Sequence, residues 1–96
     1  MTTTALTEGD INSEWTMIPV DEVTVKERLR KQLDESHVKR LMESFTDLGF
    51  QIHPITVDEY HTLIAGAHRL EAMRRLTADG MEGWDKIGAL VVTGAS

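Results

Sequence analysis

Four consecutive residues, Gly66-Ala67-His68-Arg69, follow the apolar run Leu63-Ile64-Ala65 and lead into Leu70-Glu71-Ala72-Met73. Their order suggests a strand that passes through glycine directly into a helix. The first turn of a helix carries N–H groups with no intrahelical acceptor and about half a positive charge. Such an end accepts phosphate and other anions readily. Gly66 would let the backbone approach an anion with no Cβ in the way. The guanidinium of Arg69 can hold two phosphate oxygens at once, and the imidazole of His68 can donate a hydrogen bond or shuttle a proton. A plain tight turn followed by an exposed arginine would produce the same residues, so the segment leaves both readings open.

Charge bears on the choice. Ten basic and sixteen acidic residues give a net charge of −6, which argues against a protein that coats nucleic acid through bulk charge. The cations are not evenly spread. Lys26, Arg28, Arg30, Lys31, Lys39 and Arg40 form one group and Arg69, Arg74 and Arg75 a second. With the acids Glu27, Asp34, Glu35 and Glu71 these stretches carry +5, against −11 for the remainder. They are either solvated helix faces or an anion site on an acidic body, and the second requires that they meet in space.

The elements that must position these residues follow from periodicity. Val38, Leu41, Met42, Phe45 and Leu48 recur as one face of an α-helix. Asp34 is suited to cap its start and Gly49 to turn the chain out of its end, so a helix is expected over residues 35–48, with Glu35 and Lys39 paired across one turn. Trp15-Thr16-Met17-Ile18 reads as a strand stopped at Pro19. Residues 25–33 read as a loop or a short helix. Pro54 precedes the strand Ile55-Thr56-Val57, and Asp58-Glu59-Tyr60 connects it to a returning strand, residues 61–65, as a hairpin. Leu70, Met73 and Leu76 line the second helix, which Gly80 and Gly83 end. Ala89-Leu90-Val91-Val92 is a last, buried strand, with Trp84 packing before it. The expected class is α+β, a small mixed β-sheet with helices in the order β-α-β-β-α-β. Ninety-six residues suffice for one domain. A flexible tail is expected over residues 1–14 and the domain over residues 15–96.

The segment Gly66-Ala67-His68-Arg69-Leu70-Glu71-Ala72 resembles the signature of the ParB/sulfiredoxin superfamily, and the upstream chain matches in order. Ile18-Pro19-Val20-Asp21-Glu22-Val23 is similar to its opening strand and turn. Leu41-Met42-Glu43-Ser44-Phe45 with Leu48-Gly49-Phe50 is similar to its first helix and stop, and Pro54-Ile55-Thr56-Val57 to its next strand. The resemblance covers residues 18–92. It implies that Gly66, Ala67, His68 and Arg69 contact nucleotide phosphates, and that Arg28 and Arg30 lie where the family often places a nucleotide-contacting arginine. It also puts His53 in a nucleotide-adjacent loop, where a plain polar loop residue is the simpler reading.

Two departures shape the expected function. Sulfiredoxins carry a cysteine where this chain has Ala67, and the chain has no cysteine at all, so reduction of a sulfinic acid is not expected. Partitioning ParB proteins carry an acidic residue and paired arginines where this chain has Ala67-His68-Arg69. No helix-turn-helix of the kind through which those proteins read DNA is expected within these residues, so sequence-specific DNA binding by them alone is not expected. The resemblance implies a ParB-like module that binds a nucleoside triphosphate, ATP or CTP, with magnesium, in a DNA-associated or plasmid system. A weak nucleotidase, a small-molecule kinase or a nuclease of the same fold remains open, as does an interaction protein that has lost the nucleotide. Glu22, Glu27 and His68 are the candidates for catalysis. A protein partner or a homodimer is compatible with any of these. His37, His53, His61 and His68 show no metal-ligand spacing, so no metal site is expected within the protein itself. No apolar run approaches the roughly 20 residues of a membrane span, no signal peptide is recognised, and a cytoplasmic location is expected.

Overall fold

The computed structural model describes residues 12–49, 51 and 53–93. In chain order the elements are β1 (Asn12–Pro19), a 3-10 turn (Val20–Glu22), α1 (Glu27–Arg30), α2 (Glu35–Leu48), β2 (Ile55–Asp58), β3 (Leu63–Ala65), α3 (Ala67–Ala78) and β4 (Lys86–Thr93). The four strands form one sheet in the order β1-β4-β2-β3. β4 pairs antiparallel with β1 over eight residues and parallel with β2, and β2 and β3 form the expected antiparallel hairpin. The class is α+β with a mixed sheet.

One face of the sheet carries the core, with clean alternation in β2. Ile55 and Val57 of β2, Leu63 of β3, Ile87 and Ala89 of β4 and Ile18 of β1 are buried in one cluster with Val38 and Phe45 of α2 and Leu70, Ala72, Met73 and Leu76 of α3. Trp84, just before β4, stacks on Phe45 with ring centroids 5.8 Å apart. On the other face Trp15 and Met17 of β1 stay about half exposed. There the Gln51 side chain binds the β4 backbone at two points: its Nε2 donates to Gly88 O at 3.2 Å, and its Oε1 accepts from Gly88 N at 2.7 Å.

Local chemistry sets the bounds of α2. The Asp34 carboxylate accepts from Ser36 N at 2.9 Å, and Gly49 ends the helix at φ 80. Four expectations are corrected. Asn12, Ser13 and Glu14 belong to β1 and not to a tail, because β4 offers them backbone partners at Thr93, Val92 and Val91; residues 1–11 lie outside the described residues, as does Phe50. Leu48 stands 46% exposed at the end of α2. His61 is a turn residue at φ 64, not a strand residue, because the Asp58 carboxylate captures the N–H groups of Tyr60 and Thr62 at 2.8 and 2.9 Å and tightens the connection. Glu35 binds Arg75 of α3 and not Lys39.

Arg74, which the sequence presents as one more surface cation, is a structural clamp. Its Nε donates to Val20 O at 2.9 Å and its Nη2 to Val23 O at 2.6 Å, holding α3 against the 3-10 turn. Hydrogen bonds from charged groups contribute about 1.5–3 kcal/mol. Arg74→Ala is expected to lose stability on that order in chemical denaturation, and Arg74→Lys to recover only part of it, since an ammonium has no fork to span two carbonyls.

Candidate functional site

Two helix starts meet at one cleft. In α3 the first backbone bond runs from Leu70 N to Gly66 O at 3.0 Å, so the N–H groups of Ala67, His68 and Arg69 have no intrahelical acceptor. No side chain caps this end and no acid stands in its first turn. The start of α2 differs, because its own Asp34 carboxylate fills it. The unneutralised positive end is therefore that of α3.

Gly66 is at φ 101, and a Cβ there would stand 2.7 Å from Ile55 Cγ2. The glycine is thus required by the fold itself, to carry β3 into α3 against the floor of β2, before any anion is considered. The sharp turn it makes leaves Ala67, His68 and Arg69 along one wall of a cleft of about 230 Å³, with His37 and Leu41 of α2 opposite. Arg69 has no ion-pair partner among the described residues. Its guanidinium is the uncommitted cation of the second basic group, since Arg74 holds carbonyls and Arg75 holds Glu35 and Glu71.

His68 is fixed by two contacts. Its Nε2 accepts from Asp34 N at 3.0 Å, and its ring stacks on that of His37 with centroids 4.3 Å apart and planes 27° apart. An acceptor Nε2 assigns the neutral tautomer with its proton on Nδ1. Burial, and then the neighbouring His37, hold its pKa below the usual 6.5, against the pull of Asp34. His68 is therefore a neutral donor through Nδ1, while its Nε2 lone pair is already engaged.

Other candidates fall elsewhere. Arg28 and Arg30 are exposed on α1 and do not line the cleft. Glu22 ends the 3-10 turn and Glu27 begins α1, both exposed and neither lining the cleft. His53 is exposed in the connection before β2. No group of three metal-ligating side chains occurs among the described residues. None of the residues lining the cleft is a carboxylate, so a magnesium ion carried in by a nucleotide would be held there by the phosphates and water. The sequence did not single out His37, Leu41 or the Asp34 backbone as parts of the site. His37 lies near the start of a well-capped helix, but only the packing of α2 on α3 brings it to His68.

The ParB N-terminal domain family model matches residues 4–94. The chain belongs to the ParB N-terminal domain family. One form of a Pnob8-like ParB-N domain superimposes with a TM-score of 0.68 at 19% identity over 86% of this chain and 30% of the other. A second pNOB8-like ParB N-domain structure gives 0.66 at 19% identity over 86% of this chain and 28% of the other. The ParB-N domain described here thus spans under a third of the length of those two chains. Sulfiredoxin from Arabidopsis thaliana superimposes with a TM-score of 0.63 at 26% identity, covering 81% of this chain and 83% of its own. A search of curated proteins returns no match. No helix among the described residues of this ParB-N domain is long and apolar enough to cross a membrane.

Proposed function

We propose that this ParB-N domain binds a nucleoside triphosphate, ATP or CTP, with its terminal phosphates at the start of α3. The observation that carries the reading is the uncapped, acid-free N-terminus of α3 beside the uncommitted Arg69 guanidinium. Backbone N–H groups of residues 67–69 and the Nδ1–H of His68 supply donors, and Arg69 supplies a bidentate cation. Magnesium would arrive on the phosphates and offset their charge. Arg28 and Arg30, on α1, are proposed to meet the ligand only where it extends past the cleft. The domain is proposed to act in a DNA-associated or plasmid-type system, in keeping with its family.

A binding role fits better than phosphotransfer. A general base must lie within hydrogen-bond reach of the proton it removes; neither Glu22 nor Glu27 lines the cleft, and His68, which does, has its Nε2 lone pair engaged by the Asp34 amide. Thermal melting with ATP, CTP, GTP and UTP in turn, each with magnesium, tests the reading. A ligand at about 100 times its dissociation constant adds about 2.7 kcal/mol of stability, which raises the midpoint of a domain this size by roughly 10–20 °C. A shift with ATP or CTP is expected. No shift with any nucleotide would pass the lead to an interaction protein that keeps the fold without the ligand.

A further inference from the structure

α2 is tied to α3 at two places of different chemistry. Near the cleft, the Asp34 amide donates to His68 Nε2. Two turns further along α3, the Arg75 guanidinium grips the neighbouring Glu35 through both carboxylate oxygens, one at 2.9 Å, and Glu71 through Nε at 2.9 Å. We propose that the first tie is a proton-operated latch: protonation of His68 releases the first turn of α2 from the first turn of α3 and widens the cleft between His37 and residues 66–69.

The latch turns on donors and acceptors. The Asp34 N–H has one partner across the interface, a ring nitrogen that accepts only while it carries no proton. Adding a proton sets two donors against each other at 3.0 Å. The groups around the ring do not repair this. Asp34 turns its carboxylate to the amides of Ser36 and His37, so turning it to a cationic His68 would uncap α2. His37 is stacked face to face with the ring, Arg69 stands beside it on α3, and the β3–α3 junction contributes only Ala65, Gly66 and Ala67. Glu35 and Glu71 are committed to Arg75. That second tie survives acidification, because the Arg75 bonds hold the Glu35 carboxyl below its usual range. One end of the contact therefore opens while the other stays shut. The lowered pKa of His68 places the release on the acid side of neutrality, and the latch closes again as pH rises.

The latch needs no ligand, so it is read in a phosphate-free buffer and stands or falls apart from nucleotide binding. The experiment is an NMR titration of the whole chain from pH 7.5 to 5. The expected result is that the Asp34 amide resonance moves with the His68 ring, at a midpoint below 6.5. Its hydrogen-exchange protection should fall by about tenfold, the worth of one ordinary hydrogen bond. In His68→Gln, whose amide oxygen can accept from Asp34 without titrating, the Asp34 step should vanish and the protection remain. In His37→Phe, which keeps a stacked ring but removes the second imidazole, the step should persist with its midpoint raised. An Asp34 amide that ignores the His68 titration in the wild type overturns the latch. So does a step that survives unchanged in His68→Gln. Should His68→Gln fail to fold, a wild-type Asp34 amide whose exchange protection stays constant through the His68 midpoint does the same.

Discussion

Arg69→Ala is expected to weaken nucleotide binding 10- to 100-fold while leaving the fold intact. The magnitude follows from the worth of a charge-assisted bidentate contact, about 1.5–3 kcal/mol, converted at about 1.4 kcal/mol per tenfold. The fold should survive because Arg69 holds no other side chain through an ion pair among the described residues, so its loss leaves no acid stranded. Arg69→Lys should restore only part of the affinity, since an ammonium is a single point of charge. Arg74 cannot serve as the control, despite its neighbouring position, because it clamps Val20 and Val23. Arg40 can: it is exposed on α2 beside Glu43, Ser44 and Asp47, away from the cleft. Titration calorimetry of wild type, Arg69→Ala, Arg69→Lys and Arg40→Ala separates the outcomes. Equal binding by wild type and Arg69→Ala would mean that the phosphates sit elsewhere.

Gly66→Ala is expected to be the most destabilising single methyl that the cleft can receive. A residue other than glycine in the left-handed region costs about 1–2 kcal/mol. The added Cβ also meets Ile55 Cγ2 at 2.7 Å and the Ile55 backbone Cα at 3.1 Å, and overpacking of this kind costs about 1–3 kcal/mol. The sum, about 2–5 kcal/mol, lowers the melting midpoint by roughly 10–40 °C. Gly49→Ala separates the two causes. Gly49 has a similar positive φ of 80, yet nothing lies within 4 Å of its would-be Cβ, so it should lose the conformational part alone. Equal losses at the two glycines would show that Ile55 yields to the methyl and that only backbone conformation sets the cost.

Much of this was legible in the sequence where the signal is local. Asp34 and Gly49 bracket α2 because a carboxylate that caps and a glycine that turns act within a few residues of themselves. Leu70, Met73 and Leu76 mark the buried stripe of α3 for the same reason. The Gly66–Arg69 junction was visible as a strand meeting a helix. What stayed hidden depends on partners far along the chain. Asn12–Glu14 carry no apolar alternation; backbone pairing to β4 makes them strand. Arg74 looks like any surface cation until two carbonyls some fifty residues away are found against it. His37 and His68 have no spacing that announces a pair, since only the packing of α2 on α3 stacks them. Glu35 had a suitable lysine one turn away and took the planar fork of Arg75 instead, which offers two bonds where Lys39 offers one point of charge.

The place of β4 governs how the chain can be made. It is the last strand in sequence, yet it lies between β1 and β2, so Asn12 finds its partner in Thr93. During synthesis the β2–β3 hairpin and the turns of the two longer helices can begin to form as they emerge, because their internal hydrogen bonds are short in sequence. β1 cannot pair until nearly the whole domain has left the ribosome. Until then Ile18 lacks its neighbour Ile87, and the inner face of β2 lacks the strand that extends it. A chain stalled before Lys86 would expose that unfinished face and two unpaired strand edges, the species that aggregate or recruit chaperones. Completion of the sheet is thereby a late event, and the long sequence separation of its pairings predicts slower folding than the helical content alone would suggest.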